Sequence, residues 1–242
     1  MIATTPISGA GYLLKGIHLI LQPGLKRFAI IPLVVNIIVF SAAIYLGFAQ
    51  FDGFIAWMES KVPDWLSWLE WILWPLFIIA LLVTTFYTFT LVANLIASPF
   101  NSLLAEKVEL HLTGRPLNQG GGLSQAMKEL VPTLMDEIRK ILYALLWAIP
   151  FLILAFVPVA GPVIWFLFSA WLLTVQYCDY PMGNSGLKFA EMRARLRKRR
   201  VLSLSFGAAT AGLTMIPVLN FIAMPSAVAG ATAMWVGEMK KV

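Results

Sequence analysis

The six residues Gln22-Pro23-Gly24-Leu25-Lys26-Arg27 hold the clearest chemical potential in the chain, directly before the apolar run Phe28 to Ala49. Pro23 and Gly24 break a preceding helix, so the next helix is expected to start near Leu25. The first N–H groups of a helix have no intrahelical acceptor, and the helix dipole is positive there. Lys26 and Arg27 add two cations at the same place. A helix start of this kind attracts anions, and Gly24, Leu25, Lys26 and Arg27 form the candidate ligand set. Basic residues also flank most membrane-spanning helices. On residue types alone, a cytoplasmic-side anchor is the plainer reading of the pair.

Amides and a few acids make up the other candidates. Asn36, Asn94, Gln176 and Asn220 fall inside apolar runs. An amide in hydrocarbon needs a partner or a wet path. Asn220 lies beside a break at Pro217, where a pore or hairpin-tip role competes with an ordinary turn-forming asparagine. Asn101 and Glu106 follow Pro99, where a helix is expected to restart. Glu106 stands among apolar residues, as a buried acid paired with Arg27 or Lys26 or as a solvated carboxylate. His18 reads as an interfacial polar residue. A cation- or proton-driven carrier often needs buried carboxylates; their scarcity in the apolar runs favours passive conduction or binding of an anion.

Several chemistries are excluded. There is no Gly-rich phosphate loop for ATP hydrolysis and no His/Cys set suited to zinc. Gly183-Asn184-Ser185-Gly186 reads as a turn, with no histidine nearby in sequence to activate the serine. Cys178 is the only cysteine, so no intrachain disulfide forms. The expectation is a non-enzyme without metal or cofactor.

These residues need elements to position them. The 242-residue chain is 60% hydrophobic and 12% charged, far below the roughly 25% charge of a soluble domain. It reads as one all-α integral membrane domain. Two long transmembrane helices are expected at about 28–49 and 71–99. An acidic, Trp-rich outer loop, Gln50 to Glu70, joins them. Ser8 to Leu21 is too short to span and reads as an interfacial helix capped by Ser8. An amphipathic cytoplasmic segment covers 100–140, with Gly120-Gly121-Gly122 as a breaker. The runs 141–177 and 201–236 are apolar and broken near Pro158 and Pro217. They read as two hydrophobic helical hairpins that either cross fully or enter partway as re-entrant pairs, which would need cover from protein.

Charge sets orientation. Among all Lys and Arg, only Lys61 falls in the outer loop, so both chain ends belong on the cytoplasmic side. No basic leader precedes the first apolar run, so insertion through that uncleaved run is expected. Between the hairpins, Lys188 and Arg193 to Arg200 form a basic helix. Positive-inside anchoring is its favoured role over acidic-lipid or nucleic-acid binding, and no nucleic-acid partner is expected.

Pro23-Gly24-Leu25-Lys26-Arg27-Phe28, followed by Pro32 and Asn36, resembles the N-terminal signature of the CysZ-type bacterial sulfate permeases. Ser98-Pro99-Phe100-Asn101-Ser102-Leu103-Leu104-Ala105-Glu106-Lys107-Val108-Glu109 resembles their second signature. The order of elements matches along essentially the whole chain. The resemblance implies a multi-pass inner-membrane protein that takes up sulfate for cysteine biosynthesis. It implies sulfate binding at Gly24, Leu25, Lys26 and Arg27, with Glu106 near the path or holding the arginine; Asn36, Asn94, Asn101 and Asn220 are candidate pore or supporting residues. It also implies a homo-oligomer with protomers in opposite orientations, whereas the charge bias argues for one orientation. The family pattern often has arginine where Lys26 stands. Arginine offers a bidentate fork and lysine a point charge, which makes Arg27 the main side-chain ligand. The rival reading is a non-transporting membrane adaptor that uses its basic helix to bind acidic lipid or a partner. An enzyme acting on lipid phosphates suits the basic cluster but lacks a nucleophile–base pair.

Overall fold

The computed structural model describes residues 8–59, 70–116 and 123–240. Its elements are α1 (Gly9–Ile20), α2 (Lys26–Glu59), α3 (Glu70–Thr113), α4 (Leu123–Ala155), α5 (Ala160–Asn184), α6 (Phe189–Lys198), α7 (Arg200–Thr214) and α8 (Pro217–Met234), closed by a π-helical turn, Trp235–Met239. No strand occurs among the described residues. Four described segments are long and apolar enough to cross a membrane: Lys26–Leu46, Met135–Ala155, Ala160–Asn184 and Pro217–Met239. The protein is an all-α membrane protein.

The helices run longer than the apolar patterns suggest. α2 continues through Glu59, so the first half of the expected outer loop is helix. Lone Gly53 is tolerated there, and the first stronger breaker in that loop is Pro63. Lys61, Trp65, Trp68 and the glycines 120–122 lie outside the described residues. α3 passes Pro75 and Pro99 without a break and reaches Thr113. The helix expected to restart after Pro99 is therefore its last turns. At about 1.5 Å per residue, its 44 residues span roughly 66 Å, twice a hydrocarbon core of about 30 Å. The amphipathic segment also fuses with the first arm of the 141–177 run as one helix, α4. Nothing between Asp136 and Ile141 can stop a helix, so a change in face polarity leaves no boundary.

The chain forms two compact units, Ile30–Phe100 and the remainder. The first contains most of α2 and α3. Its side chains Ile37, Ile38, Leu76, Ile79 and Leu82 are exposed, as lipid-facing residues are.

The second unit holds the core. Here α1 lies against α8 and α7, and α5 packs against α4, α7 and α8. The expected interfacial helix also contributes one face to the core, while Leu14, Lys15, His18 and Leu21 stay exposed. Tyr12, Leu13, Gly16, Leu19 and Ile20 are all buried, and the Ser8 hydroxyl caps the helix by accepting from Gly11 N–H. Small residues permit this packing, as in membrane bundles generally. A Cβ at Gly16 would sit 2.1 Å from the Ser226 carbonyl oxygen, and one at Gly207 would sit 1.8 Å from that of Ala170. α8 supplies the complementary surface with buried Ala223, Ala227, Ala229, Gly230 and Ala231.

The breaks between α4 and α5 and between α7 and α8 fall near Pro158 and Pro217. Phe151 stacks on Phe168 at 4.5 Å across the first pair, and Trp171 Nε1 donates to Tyr143 Oη at 3.0 Å. Both tips display apolar side chains, Phe156 and Val159 on one and Met215 and Val218 on the other.

Candidate functional site

The turn between α1 and α2 divides its tasks by residue. Gly24 has φ 89°, a conformation that a side chain disfavours. Leu25 is buried in the same cluster as Leu104, Ala105 and Val108, and so fixes the start of α2 to the core. Lys26 and Arg27 then point outward and are exposed. The Arg27 guanidinium lies 5.0 Å from the centre of the Phe28 ring, a cation–π contact that limits its rotamers. Among the described residues, neither cation is in an ion pair.

The backbone differs from the expected helix start. The Leu25 and Lys26 N–H groups both donate to the Gln22 carbonyl at 3.1 Å, and Phe28 N–H donates to Leu25 O at 3.0 Å. The tight turn consumes donors that a free helix end would leave open. Attraction for an anion therefore rests on the two side chains and the dipole of α2 more than on those amides.

The remaining sequence candidates scatter. Glu106 forms an ion pair with its neighbour Lys107 at 3.1 Å, and none of the described ion pairs joins it to Lys26 or Arg27. Asn101 is buried, and its Nδ2 donates to Tyr180 Oη at 3.4 Å, so it braces α3 against α5. Asn36 lies on α2 in the other unit; its Oδ1 is buried without a hydrogen-bond partner among the described residues. Asn220 is exposed in the first turn of α8, where its N–H donates to Ile216 O at 2.9 Å. The side chain of Asn94 lies outside the described residues. Of the expected turn Gly183 to Gly186, the first two residues end α5 and only Ser185 and Gly186 turn, Gly186 at φ 78°.

Sequence reasoning passed over Glu109. This carboxylate is 1% exposed and is bound by the Lys240 ammonium. Asn101, Leu104, Ala105, Val108 and Glu109 are all buried, a stripe at helical spacing. Glu106 falls off that stripe, so the periodicity itself favoured Glu109 as the buried acid. Ser102 and Asn184 also bond reciprocally, Ser102 Oγ to Asn184 Oδ1 at 2.7 Å and Asn184 Nδ2 to Ser102 O at 2.8 Å.

The basic helix α6 is built into the fold. Arg195 donates to the Met239 carbonyl at 2.8 Å and lies 5.1 Å from the Trp235 ring. Arg193 sits over Tyr143 and Phe189 at 4.9 and 5.5 Å. Tyr12 donates to Glu238 at 3.2 Å; burial first, then the charge and hydrogen bond of Glu238, push its hydroxyl pKa up to about 12.

Residues 12–225 match the family described as sulfate transporter CysZ/etoposide-induced protein 2.4. This chain belongs to that family. The match takes in the Gly24–Arg27 turn and both apolar hairpin runs up to Pro225. Similar curated relatives include proteins named sulfate transporter CysZ from Salmonella typhimurium, 48% identical over 237 residues, covering 96% of this chain and 93% of the relative. Those of Salmonella paratyphi A and Salmonella typhi are 47% identical with the same coverage. In this CysZ-family chain the long helices, apolar hairpins and small-residue packing make a multi-pass membrane protein.

Proposed function

We propose that the protein is a sulfate permease of the bacterial inner membrane that supplies sulfate for cysteine biosynthesis. The observation that carries this is the 48% identity, along 96% of the chain, to a protein named sulfate transporter. We further propose that sulfate meets the protein at the Gly24–Arg27 turn. Gly24 sets the backbone, Leu25 fixes it to the core, and Lys26 and Arg27 face outward without a competing carboxylate among the described ion pairs. Arg27 gives two parallel N–H donors to two sulfate oxygens, and Lys26 adds a point charge. A tetrahedral dianion gains more from that fork than chloride, a single monovalent atom that cannot offer two acceptors to it. Asn36, Asn94, Asn101 and Asn220 are proposed to support the path, with Glu106 at its edge. The bilayer is the working environment, and the apolar hairpin tips favour homo-oligomer formation. The chemistry is transfer of an anion without bond making, so no catalytic group is assigned.

The test is uptake of labelled sulfate into liposomes containing the purified protein, without ATP or an imposed gradient. A charge-assisted hydrogen bond contributes about 1.5–3 kcal/mol, so Arg27→Ala should weaken sulfate binding about ten- to a hundredfold. Flux through Arg27→Ala equal to wild type would remove the turn from the path. A folded wild type that neither binds nor passes sulfate would sink the permease reading.

A further inference from the structure

Two clefts outside the turn meet along the junction of α6 and α7. One is apolar, about 390 Å³, walled by Tyr143, Trp147, Phe151, Phe168 and Trp171. The other is larger, about 810 Å³, and gathers charge: Arg197, Lys198, Arg199, Arg200 and Glu238 line it beside Val201 and Leu202. Arg197 and Arg200 line both. Neither cleft includes a residue of the Gly24–Arg27 turn.

The contents of the clefts restrict their ligand. Two of the wall's polar groups partner each other, Trp171 donating to Tyr143, and most of the remaining wall is ring face and hydrocarbon. In the larger cleft four cations face one carboxylate, Glu238. That carboxylate is already engaged, accepting from Tyr12 at 3.2 Å and lying 3.8 Å from Arg199. Arg197, Lys198 and Arg200 form no ion pair among the described residues. The cluster directly precedes the apolar stretch of α7, where basic side chains reach headgroup phosphates.

We propose that these joined clefts bind one anionic phospholipid, its phosphate among Arg197, Lys198 and Arg200 and an acyl chain along the Trp147–Phe168 wall. A ligand with only an anionic group, such as free phosphate, leaves the aromatic wall uncovered. A zwitterionic lipid brings a cationic headgroup whose one counter-charge, Glu238, is already taken. The shared arginines require charge and hydrocarbon in one molecule.

Native mass spectrometry of the full-length, delipidated protein tests this, with phosphatidylglycerol and phosphatidylcholine offered together at equal concentration. Wild type should retain phosphatidylglycerol over phosphatidylcholine by about tenfold or more, since each basic contact at a headgroup contributes about a fivefold preference. Arg197→Gln/Arg200→Gln should bring the two lipids near parity, and Arg197→Lys/Arg200→Lys should keep most of the preference. Equal retention of both lipids by wild type overturns the proposal. So does binding of labelled inorganic phosphate that depends on Arg197 and Arg200 while the lipid preference is missing. An independent readout on folded wild type is tryptophan quenching by acyl-brominated lipids. Brominated phosphatidylglycerol should quench more than brominated phosphatidylcholine, and Trp147→Phe should reduce the difference. Equal quenching by the two lipids also overturns it.

Discussion

Replacing Gly24 by alanine separates the geometry of the turn from its charge. Gly24 and Gly114 both have positive φ, 89° and 67°, and a Cβ added at either meets no heavy atom within 4 Å. The penalty in each case is therefore backbone strain alone, about 1–2 kcal/mol for an L-residue at positive φ. Alanine also restricts the unfolded chain, which offsets about 0.4–1 kcal/mol. Each variant should thus lose a net amount of about 1 kcal/mol, a fall of roughly 2–4 °C in the unfolding midpoint for a chain of this length. Their transport should differ. Relaxing residue 24 to negative φ while Leu25 stays buried re-aims Lys26 and Arg27. Loss of a charge-assisted contact of about 1.5–3 kcal/mol lowers sulfate affinity about ten- to a hundredfold. Gly114 only closes the end of α3, where its N–H donates to Leu110 O at 2.8 Å, and alanine there should leave uptake intact. The assays are thermal unfolding in detergent and labelled sulfate uptake in liposomes. If both variants lose uptake equally, strain and not cation placement is responsible. Wild-type uptake by a destabilised Gly24→Ala would refute the assignment of the turn.

Two further outcomes concern stability. Removing one member of a buried ion pair costs about 3–5 kcal/mol; because Lys240 is 41% exposed and water can approach it, Lys240→Ala should cost less than that range, about 2–3 kcal/mol by thermal unfolding. Adding Glu109→Gln should recover much of the loss, and an additive double variant would show that the pair is uncoupled. Tyr12 has a folded-state pKa raised from 10.0 to about 12. Its contribution is therefore fully present below pH 10 and is lost as pH rises from 10 toward 12. The difference in unfolding midpoint between wild type and Tyr12→Phe should narrow across that window. A difference independent of pH would remove the Tyr12–Glu238 hydrogen bond as its cause.

The class of protein is legible in the residues alone. Apolar runs of spanning length, sparse charge and the positions of Pro158 and Pro217 dictate apolar helices and their breaks, because hydrocarbon tolerates only backbone that satisfies its own hydrogen bonds. The Gly24–Arg27 turn was legible too, since a glycine with positive φ, a leucine and two cations have local meanings. Tertiary structure decided what depends on distant partners. Nothing in Gly9–Ile20 says that α8 offers an alanine-rich face, so that a helix too short to span gives one face to the core. Glu109 required the Lys240 ammonium from the far end of the chain, and only that contact makes a buried carboxylate tolerable. Arg195 and Arg199 looked like headgroup anchors until the π-helical turn brought Met239 and Glu238 beside them. Local propensity and hydropathy act within a few turns. The partner of a buried charge is chosen by packing across more than a hundred residues, where sequence spacing carries no signal.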